Sequence, residues 1–295
     1  MIGSALVRSW KGNPIQILRL VRQSPHPPDA NGPETILWNP SAAKPFPILD
    51  RLAGVDTVIN LSGANVAAGR WTPKYKQEIV SSRVDTTLAL VDAITRLNPQ
   101  PRVLICASAI GIYGDRGDEF LTEAAIPGTG FLADTCVAWE TAARAAENAG
   151  IRVVHARFGV VLSPLGGALA KLVPLFRLGL GGNLGNGRAW MPWITLDDAV
   201  AVLRYCIHEE AISGPVNTVA PQAVTNAEFT RALGAALHRP TVIPAPAFAL
   251  RLAFGEMADE ALLASARVIP EKLGKAGFRF TDPEIAPALR RLLSP

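Results

Sequence analysis

The chain has 295 residues, 49% of them hydrophobic and 18% charged, with a formal net charge of +4. This length and composition fit one large α/β unit or two modest domains and exclude a disordered chain. No apolar run could span a bilayer, the start lacks signal-peptide features, and the basic residues form no dense tract. The three cysteines are widely spaced and odd in number, which argues against a disulfide framework or a metal site. We therefore expect a cytoplasmic globular protein that binds neither nucleic acid nor membranes.

The first half of the chain alternates strand and helix patterns. Residues 2–9 predict a short helix, because apolar side chains recur there at four-residue spacing. A proline-rich loop, with Pro25, Pro27, Pro28 and Pro33, precedes a short strand near residues 35–38. Strands are predicted over residues 15–21, 55–61, 103–106 and 151–161, and helices over residues 72–97 and 132–149. This alternation is typical of βαβ units and predicts a parallel sheet.

The second half has a different texture, with frequent glycines after Ser163. It predicts a helix over residues 196–208, a strand over 215–219 and a helix over 225–237 that opens with a capping box. The tail from residue 244 alternates short helical patterns with proline and glycine breaks. We place a domain boundary near Ser163, with residues 190–220 returning in part to the sheet.

Residues 103–114 read VLICASAIGIYG and organise the predicted site. Four apolar residues run directly into small residues, as at the end of a buried parallel strand. In open α/β sheets ligands bind beyond the carboxyl ends of the strands, and Ser108 supplies the one hydroxyl at this end. These small residues can equally serve packing alone, and the stretch by itself leaves both interpretations open.

The beginning of the chain departs from the usual order. A doubly wound fold normally opens with a strand, a glycine-rich turn and a helix. Here the helix comes first, and residues 2–6 match the end of the pattern G-x-x-G-[FY]-[IL]-G-x-x-[LV], with Gly3 as its third glycine. Either the start is truncated or the domain lacks its central strand. Because loss of that strand would leave neighbouring strand edges unpaired, we expect truncation.

Short motifs recur along almost the whole chain. They are VINLSGAN (58–65), GRWT (69–72), SRVDTT (82–87), ASAIGIYGDRGD (107–118), FLADTCVAWE (131–140), FRLGLGG (176–182), WITLDD (193–198), TNAEFT (225–230) and GEMA (255–258). Together they resemble the atypical short-chain dehydrogenase/reductase family of epimerase-like NADP-binding proteins. The resemblance implies a Rossmann-like dinucleotide-binding domain at residues 1–163, a smaller C-terminal substrate lobe at 164–295, and NADP(H) as cofactor.

The resemblance also implies a set of cofactor-binding residues. They are Gly3, Val21, Arg22, Leu61, Ser62, Gly63, Glu78, Arg83 and Val161. Arg22 follows a strand, where its cation would meet an adenosine 2′-phosphate, and residues 61–63 allow close approach of adenine or ribose. Glu78 and Arg83 would lie near the cofactor, and Val161 would pack on the nicotinamide side. For each residue the alternative is an ordinary surface charge, tight turn or core position.

The catalytic pair of the wider superfamily is missing from this chain. Active members use a tyrosine whose pKa is lowered by a lysine four residues later. Cys136 and Glu140 stand at those positions here, and with Ser108 they form the catalytic candidates. Two functions therefore remain open. One is an NADP-dependent oxidoreductase or epimerase of an unknown small molecule, and the other is a non-catalytic dinucleotide-binding or sensor protein.

The segment from Trp190 to Trp193 is a further candidate, together with Arg188 and the glycine-rich loop at 179–187. Aromatic rings and a guanidinium are suited to stacking on a ring-shaped substrate. We favour a packed hinge between lobes as the role of this segment. The sequence predicts no particular oligomeric state.

Overall fold

A computed structural model describes residues 1–22, 32–40 and 49–294, so Pro25, Pro27 and Pro28 lie outside the described residues. The strands are Leu18–Val21 (β1), Glu34–Leu37 (β2), Thr57–Asn60 (β3), Val103–Ala109 (β4), Phe120–Leu121 (β5), Arg152–Phe158 (β6), Val160–Leu162 (β7), Trp190–Met191 (β8), Trp193–Thr195 (β9), Gly214–Thr218 (β10), Val224–Thr225 (β11) and Arg267–Val268 (β12). The α-helices are Ile2–Ser9 (α1), Pro73–Ser81 (α2), Val84–Thr95 (α3), Phe131–Arg144 (α4), Gly167–Arg177 (α5), Leu196–His208 (α6), Asn226–Leu237 (α7), Ala247–Phe254 (α8), Glu271–Lys275 (α9) and Ile285–Leu293 (α10). Short 3₁₀ helices lie at Asp50–Leu52, Ile110–Tyr113 and Ala145–Ala149, and a π-helix lies at Ala258–Leu263.

The centre of the fold is a parallel four-stranded sheet with the order β10-β6-β4-β3. Its middle strands, β4 and β6, are buried at all but one residue each, because helices cover the sheet. Helices α3 and α4 pack together, as do α1 and α6, and both pairs contribute to the main core. The predicted Rossmann-like α/β fold with a parallel sheet is confirmed.

Strands β1 and β2 pair in parallel as a separate two-stranded sheet. Within the described ranges, one edge of β1 and one edge of β3 therefore have no strand partner. Helix α1 precedes both of these strands in the chain.

The prediction of a single helix over residues 72–97 is wrong. Thr72 caps the start of α2 by accepting a hydrogen bond from the Tyr75 N–H. The helix is interrupted at Ser82 and Arg83, where the Arg83 guanidinium bonds back to the carbonyl of the preceding turn. On α3 after the interruption, Leu88 is 48% exposed and Leu90 is buried.

A second core cluster forms around Trp193, which is fully buried and donates from Nε1 to the Gln222 carbonyl at 3.0 Å. Arg188 is exposed. The strand predicted over residues 151–161 is divided at Gly159, where a Cβ would lie 2.8 Å from the Pro192 carbonyl oxygen. These contacts favour the packed-hinge interpretation for Trp193. Strand β10 returns to the central sheet, as expected.

Among the residues that the structure describes, no helix is both long enough and apolar enough to cross a bilayer. The histidine, cysteine and carboxylate side chains of these described residues form no group of three that could hold a metal ion.

Candidate functional site

The candidate site begins at the carboxyl end of β3, where Asn60 is the register partner of Cys106 on β4. The buried Asn60 amide shapes the turn that follows β3. Its Oδ1 accepts hydrogen bonds from the Ser62 N–H at 3.1 Å and the Ser62 hydroxyl at 2.5 Å, and its Nδ2 donates to Thr87 Oγ1 at 2.9 Å. The turn thus presents Leu61, Ser62 and Gly63 in one fixed conformation.

Gly3, in the first turn of α1, lies next to this turn. A Cβ added to Gly3 would be 3.6 Å from Leu61 Cδ1, which is ordinary van der Waals contact. The start of α1 and the end of β3 are therefore neighbours. The structure brings together two of the predicted cofactor-binding positions here.

Arg83 lies against the same turn. Its guanidinium is so close to Gly63 that a Cβ there would be 3.0 Å from Arg83 Cζ. Nη1 donates to the Ile79 carbonyl and Nη2 to the Ala64 carbonyl, both at 3.0 Å, and Cζ lies 5.2 Å from the centre of the Trp139 ring. Burial lowers the pKa of Arg83, yet the side chain remains a cation. Within the described part of the chain no carboxylate pairs with it, so a charge suited to phosphate or ribose oxygen lies at the end of β3.

The catalytic candidates Ser108 and Glu140 are in direct contact. The Ser108 hydroxyl, on a residue 3% exposed, donates to Glu140 Oε1 at 2.7 Å. Arg157, on β6, donates from Nε to Glu140 Oε1 and from Nη2 to Oε2, both at 2.8 Å. The sequence interpretation missed Arg157, although an arginine within an apolar strand is a signal that a buried partner exists.

The ion pair continues into a buried polar network. Arg157 Nη1 donates to the Tyr113 hydroxyl at 2.9 Å, and that hydroxyl donates to Asn217 Oδ1 at 2.6 Å. The Asn217 N–H in turn donates to Glu123 at 3.0 Å. These hydrogen bonds hold Tyr113 inside the protein, where it is fully buried.

The other predicted cofactor residues lie outside these contacts. Val21 ends β1, its carbonyl accepts from the Trp38 N–H at 2.8 Å, and Arg22 follows it, exposed. Glu78 is exposed on α2. Val161 is half-buried in β7 and packs against the main core.

Comparison with known protein families separates the chain into two parts. Residues 1–219 match the model of the NAD dependent epimerase/dehydratase family. The chain belongs to this family. Residues 245–292 match a second model, described as a domain of unknown function (DUF1731).

Relatives in the epimerase family cover nearly all of this chain. An epimerase family protein of Mycobacterium bovis is 46% identical over 289 residues, which span 98% of this chain and 93% of the relative. The crystal structure of human epimerase family protein SDR39U1 (isoform 2) with NADPH has a TM-score of 0.88 at 30% identity, covering 99% of this chain and 96% of the human one. A nucleoside-diphosphate sugar epimerase from Corynebacterium glutamicum has a TM-score of 0.78 at 35% identity, covering 99% of this chain and 56% of its own. The predicted epimerase family and fold are confirmed.

In this epimerase-family protein the environment sets the protonation of Cys136 and Glu140. Burial raises the pKa of Cys136 to about 11, and the nearby Glu140 charge adds to the effect. Burial also tends to raise the pKa of Glu140, but the hydrogen bonds and charge of Arg157 outweigh it and hold that pKa below its ordinary value. At neutral pH the thiol is therefore protonated and the carboxylate ionised.

Proposed function

We propose that this chain binds NADP(H) and is an epimerase-like oxidoreductase of a small molecule. The observation that carries the proposal is the Arg83 guanidinium, which lies over Gly63 at the end of β3 without a carboxylate partner among the described residues. The human relative crystallised with NADPH supports the choice of cofactor. When bound, NADP(H) supplies or accepts a hydride.

The chain's own residues divide the work of binding. Arg22 would meet the 2′-phosphate, residues 61–63 the adenosine, and Arg83 a phosphate or ribose oxygen, with Gly3, Val21 and Glu78 beside them. Val161 would face the nicotinamide. Ser108 would polarise a substrate carbonyl by turning its hydroxyl proton from Glu140 to the substrate, and Cys136 lies one helical turn from Glu140 on α4. We propose residues 1–163 as the dinucleotide-binding domain and 164–295 as the substrate lobe, which the second core around Trp193 supports.

A second candidate function is a non-catalytic dinucleotide-binding or sensor protein. The observation that favours it is the state of the three catalytic candidates. Ser108 already donates to Glu140, Glu140 is ion-paired with Arg157, and the Cys136 thiol is protonated. None of these groups resembles a tyrosine activated by a lysine.

Thermal unfolding in the presence of NADPH or NADH tests the proposed cofactor. A ligand that binds only the folded state stabilises it by about 2.7 kcal/mol at roughly 100 times its Kd. We expect NADPH to raise the melting temperature in a concentration-dependent way, and Arg22→Ala to reduce the NADPH response while leaving any NADH response unchanged. If neither nucleotide raises the melting temperature, the proposed function is contradicted. If Arg22→Ala loses the NADPH and NADH shifts equally, Arg22 does not recognise the 2′-phosphate.

Arg83→Met is expected to weaken NADPH binding by about tenfold to a hundredfold, because hydrogen bonds to charged groups contribute about 1.5–3 kcal/mol. Titration calorimetry measures this change. Arg279→Met, at an exposed arginine in the C-terminal part, is the matched control. Equal affinity of the two variants would show that Arg83 does not contact the dinucleotide.

Turnover separates the two candidate functions. Consumption of NADPH is measured with a panel of carbonyl compounds, and formation of the epimer is measured with a panel of nucleotide sugars, because epimerisation consumes no net cofactor. Ser108→Ala and Cys136→Ala are measured beside the unaltered protein. Turnover that falls in Ser108→Ala supports the oxidoreductase. Binding without turnover on any panel would favour the second candidate, and turnover that survives in Cys136→Ala would exclude a catalytic role for this thiol.

A further inference from the structure

Residues 255–263, which contain the GEMA motif, are anchored in the structure by two buried residues. Met257 is 5% exposed and Ala258 is fully buried. Residues Ala258–Leu263 form a π-helix, a rare element that concentrates at functional sites. The segment lies within the region that matches a domain of unknown function.

Glu260 reaches from this segment to the start of α4. Its carboxylate accepts hydrogen bonds from the Phe131 N–H at 2.8 Å and the Leu132 N–H at 2.7 Å. These N–H groups have no partner within the helix, and α4 has no side-chain cap of its own at Gly130. A Cβ at Gly130 would lie 3.0 Å from Glu260 Oε1, so the glycine gives the carboxylate room to approach. A negative charge also stabilises this end of the helix dipole.

Glu256 joins the same segment to the start of α2. Its Oε1 lies 2.6 Å from Lys76 Nζ, which is also 4.6 Å from the centre of the Phe131 ring. Trp71 meets Phe131 edge to face, with ring centres 5.1 Å apart. At Gly255 an added Cβ would be 3.6 Å from the Arg70 guanidinium. The segment therefore bridges the beginnings of α2 and α4.

Both helices that the segment bridges, α2 and α4, position residues of the candidate site. Helix α2 leads to Arg83, and Tyr75, which precedes Lys76, bonds through its hydroxyl to the Asn65 carbonyl just after the turn at Gly63. Trp71 Nε1 donates to the Val66 carbonyl at 2.8 Å. Helix α4 carries Cys136 and Glu140. The segment therefore links α2, on the side of Gly63 and Arg83, to α4, which carries two of the catalytic candidates.

We propose that residues 255–263 are a closing strap that controls entry and exit of the dinucleotide, with Glu260 as the positioning residue that fixes α4. The identity of the ligand rests on the proposed function, whereas the attachment of the strap to α4 does not. The strap attaches α4, with the catalytic candidates Cys136 and Glu140, to the C-terminal region.

Two measurements test the two parts of this proposal separately. Hydrogen exchange of the Phe131 and Leu132 amides in the ligand-free protein tests whether Glu260 caps α4. Stopped-flow fluorescence of NADPH release tests whether the strap controls exit of the dinucleotide. In Glu260→Ala we expect both amides to exchange about tenfold faster, as loss of a helix cap predicts, and NADPH to dissociate several times faster. Glu260→Gln keeps one acceptor and should lie between the two.

Asp259→Ala is the matched control, because Asp259 stands on the same π-helix but pairs with Arg251 of α8 at 2.8 Å. It should change neither rate. Unchanged amide exchange in Glu260→Ala, or faster exchange with unaltered NADPH release, would overturn the strap. If the unaltered protein binds no NADPH, the proposed function fails, and the exchange comparison alone still decides whether Glu260 fastens α4.

Discussion

Glu140→Ala lowers the free energy of unfolding by about 3–5 kcal/mol, because it leaves the buried Arg157 guanidinium without its counter-charge. The two side chains are only 4% and 7% exposed, and they share two parallel hydrogen bonds. Urea unfolding followed by circular dichroism measures the change. The loss should appear as a lower midpoint with an unaltered slope.

Two further variants serve as comparisons for Glu140→Ala. Glu271→Ala breaks the exposed Glu271–Lys275 pair on α9 and should cost no more than about 0.5 kcal/mol. The double change of Glu140→Met with Arg157→Leu should recover most of the lost stability, since two apolar side chains leave no unpaired buried charge. If Glu140→Ala lowers the free energy of unfolding no more than Glu271→Ala does, the Glu140–Arg157 ion pair does not stabilise the fold as predicted.

The stabilisation by Glu140 should also depend on pH. Its folded pKa lies below the unfolded value of about 4.3, so its contribution is complete above that value and is lost as pH falls through the folded pKa. The stability difference between the unaltered protein and Glu140→Ala should therefore shrink in acid. His155, whose pKa burial lowers to about 4, weakens both proteins as pH falls from about 6.5, so the difference is the informative quantity.

Gly128→Ala is expected to destabilise the fold by at least about 3 kcal/mol. An added Cβ would lie 2.6 Å from the Tyr113 carbonyl carbon, and this is backbone that cannot turn aside. The Gly128 N–H also donates to the Ile112 carbonyl at 2.8 Å, which holds the two segments together. Since Tyr113 is fully buried and belongs to the polar network, a shift there disturbs the Arg157 contacts as well.

Thermal unfolding measures the loss of stability in Gly128→Ala, and Gly274→Ala is the control variant. Gly274 lies in α9 with no atom near its added Cβ, so alanine there should be neutral or stabilising by up to about 1 kcal/mol. Equal melting temperatures for Gly128→Ala and the unaltered protein would show that the loop at residue 128 adjusts freely. The prediction would then be wrong.

The features that the sequence predicted well are those that depend on neighbours in the chain. The helix at 196–208 and the capping box of Thr225 and Glu228 were predictable, because a cap and its first turn are adjacent in sequence. The parallel sheet followed from the spacing of apolar strands. The family motifs assigned Gly3, Gly63 and Arg83 to one cofactor site, and in the structure Arg83 lies against Gly63.

The remaining features depend on contacts between distant segments. Glu140 meets Arg157 across 17 residues, and Glu260 caps α4 across 129 residues, so no local period reveals either contact. The interruption at Arg83 follows from a side chain that bonds to a carbonyl and to a neighbouring turn at once. Propensity alone continues the helix through this point.

The burial of the cysteines has a practical consequence for experiments on this protein. Burial raises the pKa of Cys106 and Cys206 to about 12 and that of Cys136 to about 11. Alkylating dyes attack the thiolate, so all three native thiols are protected while the fold persists. A single cysteine introduced at Leu252, which is 77% exposed beside the strap, can carry a fluorophore with the native cysteines left in place. Dye uptake beyond one equivalent then counts unfolded molecules in the same sample.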